Sequence, residues 1–581
     1  MGGFILFNKP DSSSIKRAKD VFLRMGFCEN SEFNLSGLIL LIWKKQILKI
    51  QNWVVRPNGV SIFVTGTLSY KKSNFKQSIE FILDDYLTNS LDITKIFGSF
   101  CIIIHHQSKI IIITDDAGMY TLFGNAQATI LSSSLLAVSV ANSSSPKINP
   151  QAILETIITG SVIAPDTIFN DIINLDYRTR SNWFMPNVSF INPIYRLDDQ
   201  SSNKPRNIQI AVEKLIGISI RTIKEFVPLI GNSTPSIGLS GGFDSRLLLA
   251  LSRKLGVMTA AHTWVSDGNS DNMSIAKQIA NQSNISLNSI PVQNWKSLSL
   301  ENLKKNIFDT IHYWDGRTND TMGTFNDVHT RRIRLVALGD AVFGLNGIGG
   351  ELFRNPSRLG SGDFIFNQWF KYFIIGPIGV HSVHNSQSLN DFIELVGYKY
   401  AKLSNLNLNK GLNVFDVRKI YTDIQLPFFA GPRLSAENRI SFALMPFTHS
   451  ALTKEALLCT PFIGKGGALE AAMISKLDPI LASINSSYGY SFNNIPLKVK
   501  LYDSFLASIS LSFRNMYWVN KSKNINIGIY DNLVLPKHDS IIKGFHVITD
   551  LNLPLNLDYI FADPEHRDRF LFLAGLVGLY C

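Results

Sequence analysis

At 581 residues, with 45% hydrophobic and 11% aromatic side chains, the chain has the length for about two to four domains. That apolar content excludes a disordered or low-complexity protein. Its 56 Lys and Arg against 45 Asp and Glu leave a formal charge of +11, but the basic residues are scattered in short clusters such as Lys44-Lys45, Lys71-Lys72, Lys304-Lys305 and Arg331-Arg332, which describes a solvated surface rather than a nucleic-acid groove.

Residues 1–7 run into Asn8-Lys9-Pro10 without the basic start and long apolar run of a secretory signal. The apolar stretches 38–43 and 570–579 are too short to span a bilayer. A cytoplasmic protein with no membrane partner is expected. Cys28, Cys101, Cys459 and Cys581 lie far apart without a CxxC pair, so neither a zinc site nor a disulfide framework is expected. Up to residue 197 short β-rich runs alternate with Gly, Asn and Ser, the pattern of a sandwich of sheets. The runs 97–104, 110–116 and 131–137 read as three successive strands with their turns. A polar linker at 198–205 then divides the chain into domains 1–200 and 206–581.

The second domain opens with a helical period over 208–226, apolar at Ile208, Val212, Leu215, Ile216, Ile218 and Ile223. An apolar strand, Ile237-Gly238-Leu239, then feeds Ser240-Gly241-Gly242-Phe243-Asp244-Ser245 and a helix from Arg246. Strand, glycine loop and helix N-terminus together suit a phosphate: the two glycines permit backbone conformations that a side chain would forbid, so the amides can converge on phosphate oxygens, and the helix presents its positive end. Leu239, Ser240, Gly241, Gly242, Asp244 and Ser245 are therefore candidate phosphate-loop residues, with Asp244 a hard oxygen ligand for Mg2+. Strands at 258–264 and 287–292 flank a helix at 272–281, and this alternation predicts a parallel sheet with ligands at the carboxyl ends of its strands.

Asp271 reads equally as the N-cap of that helix or as a nucleotide contact. Asp315-Gly316-Arg317, after His312-Tyr313-Trp314, is either a pocket wall or an Asp-Gly turn. His312 itself reads better as a structural histidine than as a base. A further apolar strand at 342–346 runs into Gly347-Ile348-Gly349-Gly350-Glu351, a second glycine loop ending in a carboxylate. Beyond about residue 360 the pattern is helix-rich, without an internal repeat.

Ser-Gly-Gly-x-Asp-Ser resembles the phosphate loop of the ATP pyrophosphatases, and the Gly347–Glu351 loop is similar to the one that carries a second Mg2+ carboxylate, usually Asp, in the asparagine synthetase superfamily. Glutamine-dependent members begin Met-Cys-Gly, whereas this chain begins Met1-Gly2-Gly3, and Val64–Tyr70 lacks their Asn-Gly-Glu glutamine cradle. The resemblance thus implies an α/β protein: an N-terminal glutaminase-like (Ntn-type) αββα sandwich without its cysteine, and a C-terminal Rossmann-like parallel-sheet ATP pyrophosphatase domain with helical additions. It implies ATP and Mg2+ as cofactors, with Gly347, Gly349 and Gly350 binding nucleotide and Asp244 and Glu351 holding metal. Met445-Pro446-Phe447-Thr448-His449 resembles the family's Val-Pro-Phe-Leu-Asp segment. The family's late lysine is matched by Lys465 or Lys498, with Lys500 a further candidate, whereas Ser486-Ser487-Tyr488-Gly489-Tyr490 has no lysine.

Members without the cysteine, the β-lactam and carbapenam synthetases and the lasso peptide cyclases, close a ring with an internal amine. The expected activity is therefore an ATP-dependent carbon–nitrogen ligase that adenylates a carboxylate and forms a lactam, lasso peptide cyclisation foremost, on a small-molecule or peptide substrate delivered by a leader-peptide protease or recognition partner. An ammonia-using asparagine synthetase or metabolite amidotransferase is the alternative, and a nucleotide-binding regulator without turnover is another.

Overall fold

The computed structural model describes residues 3–48, 50–191, 205–265, 270–317, 323–360, 362–522 and 538–581. Met1, Gly2 and positions 198–204 of the expected linker lie outside the described residues. The protein is mixed α/β, with two largely antiparallel sheets in the first part of the chain and a parallel sheet in the second.

The first sheet has the order β10-β8-β9-β1-β3-β2, formed by β1 (Phe4–Asn8), β2 (Asn30–Leu35), β3 (Leu38–Trp43), β8 (Phe123–Asn125), β9 (Ile130–Ser132) and β10 (Ile172–Asn174). The second runs β11-β7-β6-β5-β4, from β4 (Trp53–Val55), β5 (Ser61–Ser69), β6 (Phe97–His106), β7 (Lys109–Thr114) and β11 (Val188–Ile191), the last parallel to β7. Side chains of a strand point alternately to opposite faces, and the apolar runs exploit both. Phe4, Leu6, Leu40 and Ile42 of the first sheet share one core with Phe63, Cys101, Ile103 and Ile112 of the second. The intervening Ile5, Phe7 and Leu41 face helices Ser12–Arg24 and Leu135–Asn142, and Ile62, Val64, Ile102 and Ile104 face the helix Phe75–Leu87. The two sheets are therefore packed face to face with helices on their outer sides. The run read as a third strand at 131–137 is instead the short β9 followed by a helix, because Ser134 caps Leu135–Asn142 through Ala137 N–H.

The third sheet is parallel throughout, in the order β14-β13-β12-β15-β16, with β12 (Ser236–Gly238), β13 (Ala260–Val265), β14 (Leu287–Pro291), β15 (Phe343–Leu345) and β16 (Phe442–Leu444). From β12 the chain steps outward to β13 and β14, then returns to the other side of β12 for β15 and β16. The reversal between β12 and β15 opens a crevice at their carboxyl ends. The helix expected at 208–226 extends over Ile208–Ile230, capped by the Asn207 side chain on Ile210 N–H. Among the described residues no helix is long and apolar enough to cross a membrane; 570–579 is the buried interior of the helix Pro564–Tyr580.

Buried charges join the two parts of the chain. Asp315, fully buried, accepts from Ser134 Oγ at 2.6 Å, Leu135 N–H at 2.9 Å and Leu136 N–H at 3.1 Å, and pairs with Arg439 at 3.0 Å. It thereby caps a helix of the first part with a carboxylate from the second. Asp315-Gly316 is thus a left-handed turn with φ of +56° and +67° that aims the carboxylate inward, while Gly316 and Arg317 line a second cavity of about 50 Å3. His312 is structural as expected: its Nδ1 meets Phe308 O at 2.7 Å and its Nε2 the Tyr580 hydroxyl at 2.6 Å.

Candidate functional site

The two glycine loops leave the carboxyl ends of the neighbouring strands β12 and β15, at the sheet reversal. In the first, the Ser245 hydroxyl lies 3.2 Å from Ser240 N and 3.1 Å from Ser240 Oγ, and Gly242 N–H donates to Ser240 Oγ at 3.3 Å. These hydroxyls tie the loop to the first turn of the helix Phe243–Lys254. That helix has no side-chain cap, so its leading N–H groups are left to bind an anion. Leu239 is buried and Ser240 is exposed at the mouth.

The expected reason for Gly241 and Gly242, an unusual backbone conformation, is not what the structure shows. Neither has a positive φ. Gly241 is crowded: a Cβ there would lie 3.1 Å from Asn272 Oδ1 and 3.1 Å from Ser487 Cβ, so these neighbours would have to give by a few tenths of an ångström. Asp271 itself is exposed, and its neighbour Asn272 is the residue beside the loop.

The second loop is pressed against the first. A Cβ on Gly347 would fall 2.8 Å from the Asp244 carbonyl, and one on Gly350 would fall 2.1 Å from Asp244 Oδ1. Gly349 adopts φ +101° against Phe447, which places the Met445–His449 segment beside the loop. Its N–H donates to Glu351 Oε2 at 3.2 Å. Only residues without side chains allow this approach of loop to carboxylate.

Around the junction stand three carboxylates and one guanidinium. Arg354 pairs with Asp244 at 2.9 Å and Glu470 at 3.1 Å, lies 3.9 Å from Glu351, and rests over the Phe243 ring at 5.2 Å. Glu470 is fully buried. The Tyr421 hydroxyl donates to Glu351 Oε2 at 2.7 Å. Burial pushes Asp244 up to about 6, the Glu351 charge adds to this, and Arg354 opposes it. Burial and then Asp244 raise Glu470 well above the ordinary carboxylate range. Burial disfavours the charge on Arg354, but Glu470 and Asp244 outweigh it and hold the guanidinium charged. Asp244 Oδ1 and Glu470 Oε1 are buried and receive no N–H or hydroxyl donor among the described residues, but the two carboxyls share a hydrogen bond with each other.

A cavity of about 330 Å3 opens at this point, lined by Leu239, Ser240, Asp244, Ser245, Gly347 and Glu351. Of the candidate loop residues, the structure therefore gathers both glycine loops and both proposed metal ligands at one place. It does not bring the lysines there. Lys465 is exposed and donates to Ser504 Oγ, and Lys498 and Lys500 are exposed on the helix Leu497–Ser508. The cation among the carboxylates is Arg354, three residues beyond Glu351, and the sequence reading missed it together with Glu470 and Tyr421. Arg354 had a signal, an i,i+3 partner of Glu351; Glu470 and Tyr421 come from distant helical segments and had none. The lysine-free 486–490 stretch nevertheless lies on the phosphate loop: Ser487 N–H donates to Gly241 O at 3.1 Å, and buried Arg246 reaches Ile484 O, Asn485 O and Gly241 O.

No family model matches the chain, and no curated protein matches it. Among the described residues no group of three or more His, Cys, Asp or Glu side chains is disposed to hold a metal ion by itself.

Proposed function

We propose that the protein is an ATP-dependent, AMP-forming carbon–nitrogen ligase, built as a glutaminase-like sandwich joined to a Rossmann-like ATP pyrophosphatase domain of the asparagine synthetase type. The observation that carries this reading is the closure of the Gly347–Gly350 loop onto Asp244, beside an uncapped helix N-terminus and at the mouth of the cavity. The triphosphate would lie on Ser240–Ser245, with the helix N–H groups and the Ser240 and Ser245 hydroxyls as donors. Mg2+ fits this donor set without a protein cage, since it binds through one or two carboxylates plus substrate phosphates, and Asp244 Oδ1 has no N–H or hydroxyl donor. Asp244 and Glu351 would hold it, and when bound it would neutralise charge on the phosphates.

A substrate carboxylate attacks the α-phosphorus, forming the acyl–phosphate bond and releasing pyrophosphate. An amine then attacks the acyl carbon and releases AMP. Arg354, paired with Asp244 and Glu470, would offset charge at the metal site in place of the family's lysine. Tyr421 orients Glu351 through its 2.7 Å hydrogen bond.

The side chains that stand where a glutamine site would lie are committed elsewhere. Thr65 bonds the Tyr120 hydroxyl at 2.5 Å, Thr67 bonds Asn438, and Ser69 donates to Glu225 O at 2.5 Å. This favours an amine carried by the substrate, and lactam formation on an amino-acid derivative or peptide, with lasso peptide cyclisation foremost. A regulator that binds nucleotide without turnover is the second reading, favoured by Arg354 already neutralising Asp244. Product analysis separates them. Incubated with ATP, Mg2+ and a panel of aspartate plus ammonia and linear peptides bearing an acidic side chain, a ligase releases AMP and pyrophosphate with its substrate class, and Asp244→Ala abolishes the release. ATP binding without AMP across the panel favours the regulator.

A further inference from the structure

The cavity does not end at the phosphate loop. Ser236 and Gly238, the two ends of β12, both line it, so it runs back along the strand toward its start. Ser236 and Ser240 are separated by on the order of 13 Å of extended chain. At that end Ser236 Oγ meets His262 Nδ1 at 2.9 Å and donates to Ala337 O at 3.1 Å, and Arg334, one helical turn before Ala337, joins Arg433 and Glu437 in the wall, whereas Trp264 stands level with Ser240 in the strand register.

Two guanidinium groups share one carboxylate there. Arg433 Nε lies 3.3 Å from Glu437 Oε1, and Arg334 Nη1 lies 4.0 Å from the same oxygen. Arg334 is about nine-tenths buried, packs over the Trp264 ring at 4.9 Å, and its Nε has no hydrogen-bond partner among the described residues. His262 does not balance the excess, because its Nδ1 is 2.9 Å from Ser236 Oγ and burial, then Arg334 and Arg433, depress it to about 3, leaving it neutral. The inner end therefore carries one uncompensated positive charge, with a buried guanidinium edge in need of an acceptor. A planar carboxylate matches that edge.

We infer that the inner end of the cavity, formed by Arg334, Arg433 and Glu437, binds the carboxylate of a small acidic ligand at a point separate from the phosphate loop. This rests on the ligase reading only in making that ligand the substrate. The substrate would then carry an anchoring carboxylate besides the one that is activated, and cavity length would select the spacing between the two. Glu437 sets the affinity, since it competes with the ligand for the same two arginines.

The test is equilibrium binding of succinate, with succinamide as the neutral control, followed by saturation-transfer NMR on the full chain. Succinate should bind saturably in the millimolar range and succinamide should not. Arg334→Met and Arg433→Gln should each weaken succinate binding by about tenfold or more, and Glu437→Gln should strengthen it. Arg433 has a side-chain exposure of 28%, so its variant tests the inference even if Arg334→Met fails to fold. No saturable succinate binding, equal binding of succinamide, or weaker binding in Glu437→Gln overturns it. Failure of the ligase reading shows separately, as a wild-type protein that takes up succinate but neither binds nor cleaves ATP.

Discussion

Replacing Asp315 by Ala is expected to lower stability by about 3–5 kcal/mol, a large part of the roughly 5–15 kcal/mol typical of a folded domain. The side chain is fully buried and takes four donors, two of them N–H groups that open the helix Leu135–Asn142. Removing it strands those donors. It also leaves Arg439, only 6% exposed, as a buried charge without its carboxylate. Asp315→Asn should fall between, because an amide oxygen still accepts from the helix but cannot neutralise the guanidinium. Urea unfolding midpoints of the three proteins measure this directly, and a variant as stable as wild type would show that the carboxylate does not hold the two parts of the chain together.

Arg354→Met is expected to be nearly as damaging at neutral pH, and its damage should depend on pH. In the wild type Asp244 has its folded pKa raised to about 6 from the ordinary 3.8 of an aspartate, so between those values the folded state holds more proton than the unfolded chain. Stability from this group therefore falls as pH rises from about 4 to about 6. Arg354 limits the loss by pairing with Asp244 and Glu470. Without it the folded pKa values of both carboxyls rise further, and the decline becomes steeper and reaches higher pH. A loss of about 3–5 kcal/mol near pH 7, shrinking toward pH 4 and partly restored by adding Glu470→Gln, is the expected pattern in denaturant titrations across pH. Equal wild-type and Arg354→Met stability at pH 7 would remove Arg354 as the neutralising cation of the site.

The first glycine loop was legible in the sequence because its signal is local: apolar strand, glycines, hydroxyl side chains and helix lie within one short run. The second loop was legible for the same reason, and its expected pairing with the first is matched by β15 lying beside β12. The sandwich was readable from short β-rich runs separated by Gly, Asn and Ser; β1, β5 and β6 show no alternation, because one face of each meets the other sheet and one meets helices. Three kinds of feature were not readable. Asp315 looked like a turn residue because its partners, Ser134 and Arg439, are far away in the chain. Glu470 sits in an apolar helix whose sequence gives no sign that it faces Arg354. Lys465 and Lys498 were chosen by motif distance, yet folding leaves both on the surface. Charge pairs made across long sequence separations are set by topology, and no periodicity encodes them.

The most direct test of the site is equilibrium binding of ATP, with Mg2+, to the wild type and to Gly350→Ala. A Cβ at Gly350 would stand 2.1 Å from Asp244 Oδ1, so either the Asp244 carboxylate or the second loop must move. Saturable binding to the wild type, reduced at least about tenfold in a folded Gly350→Ala protein, is the expected result. Absence of ATP binding by the wild type, or unchanged affinity in the variant, would contradict the assignment of these two loops as the nucleotide site.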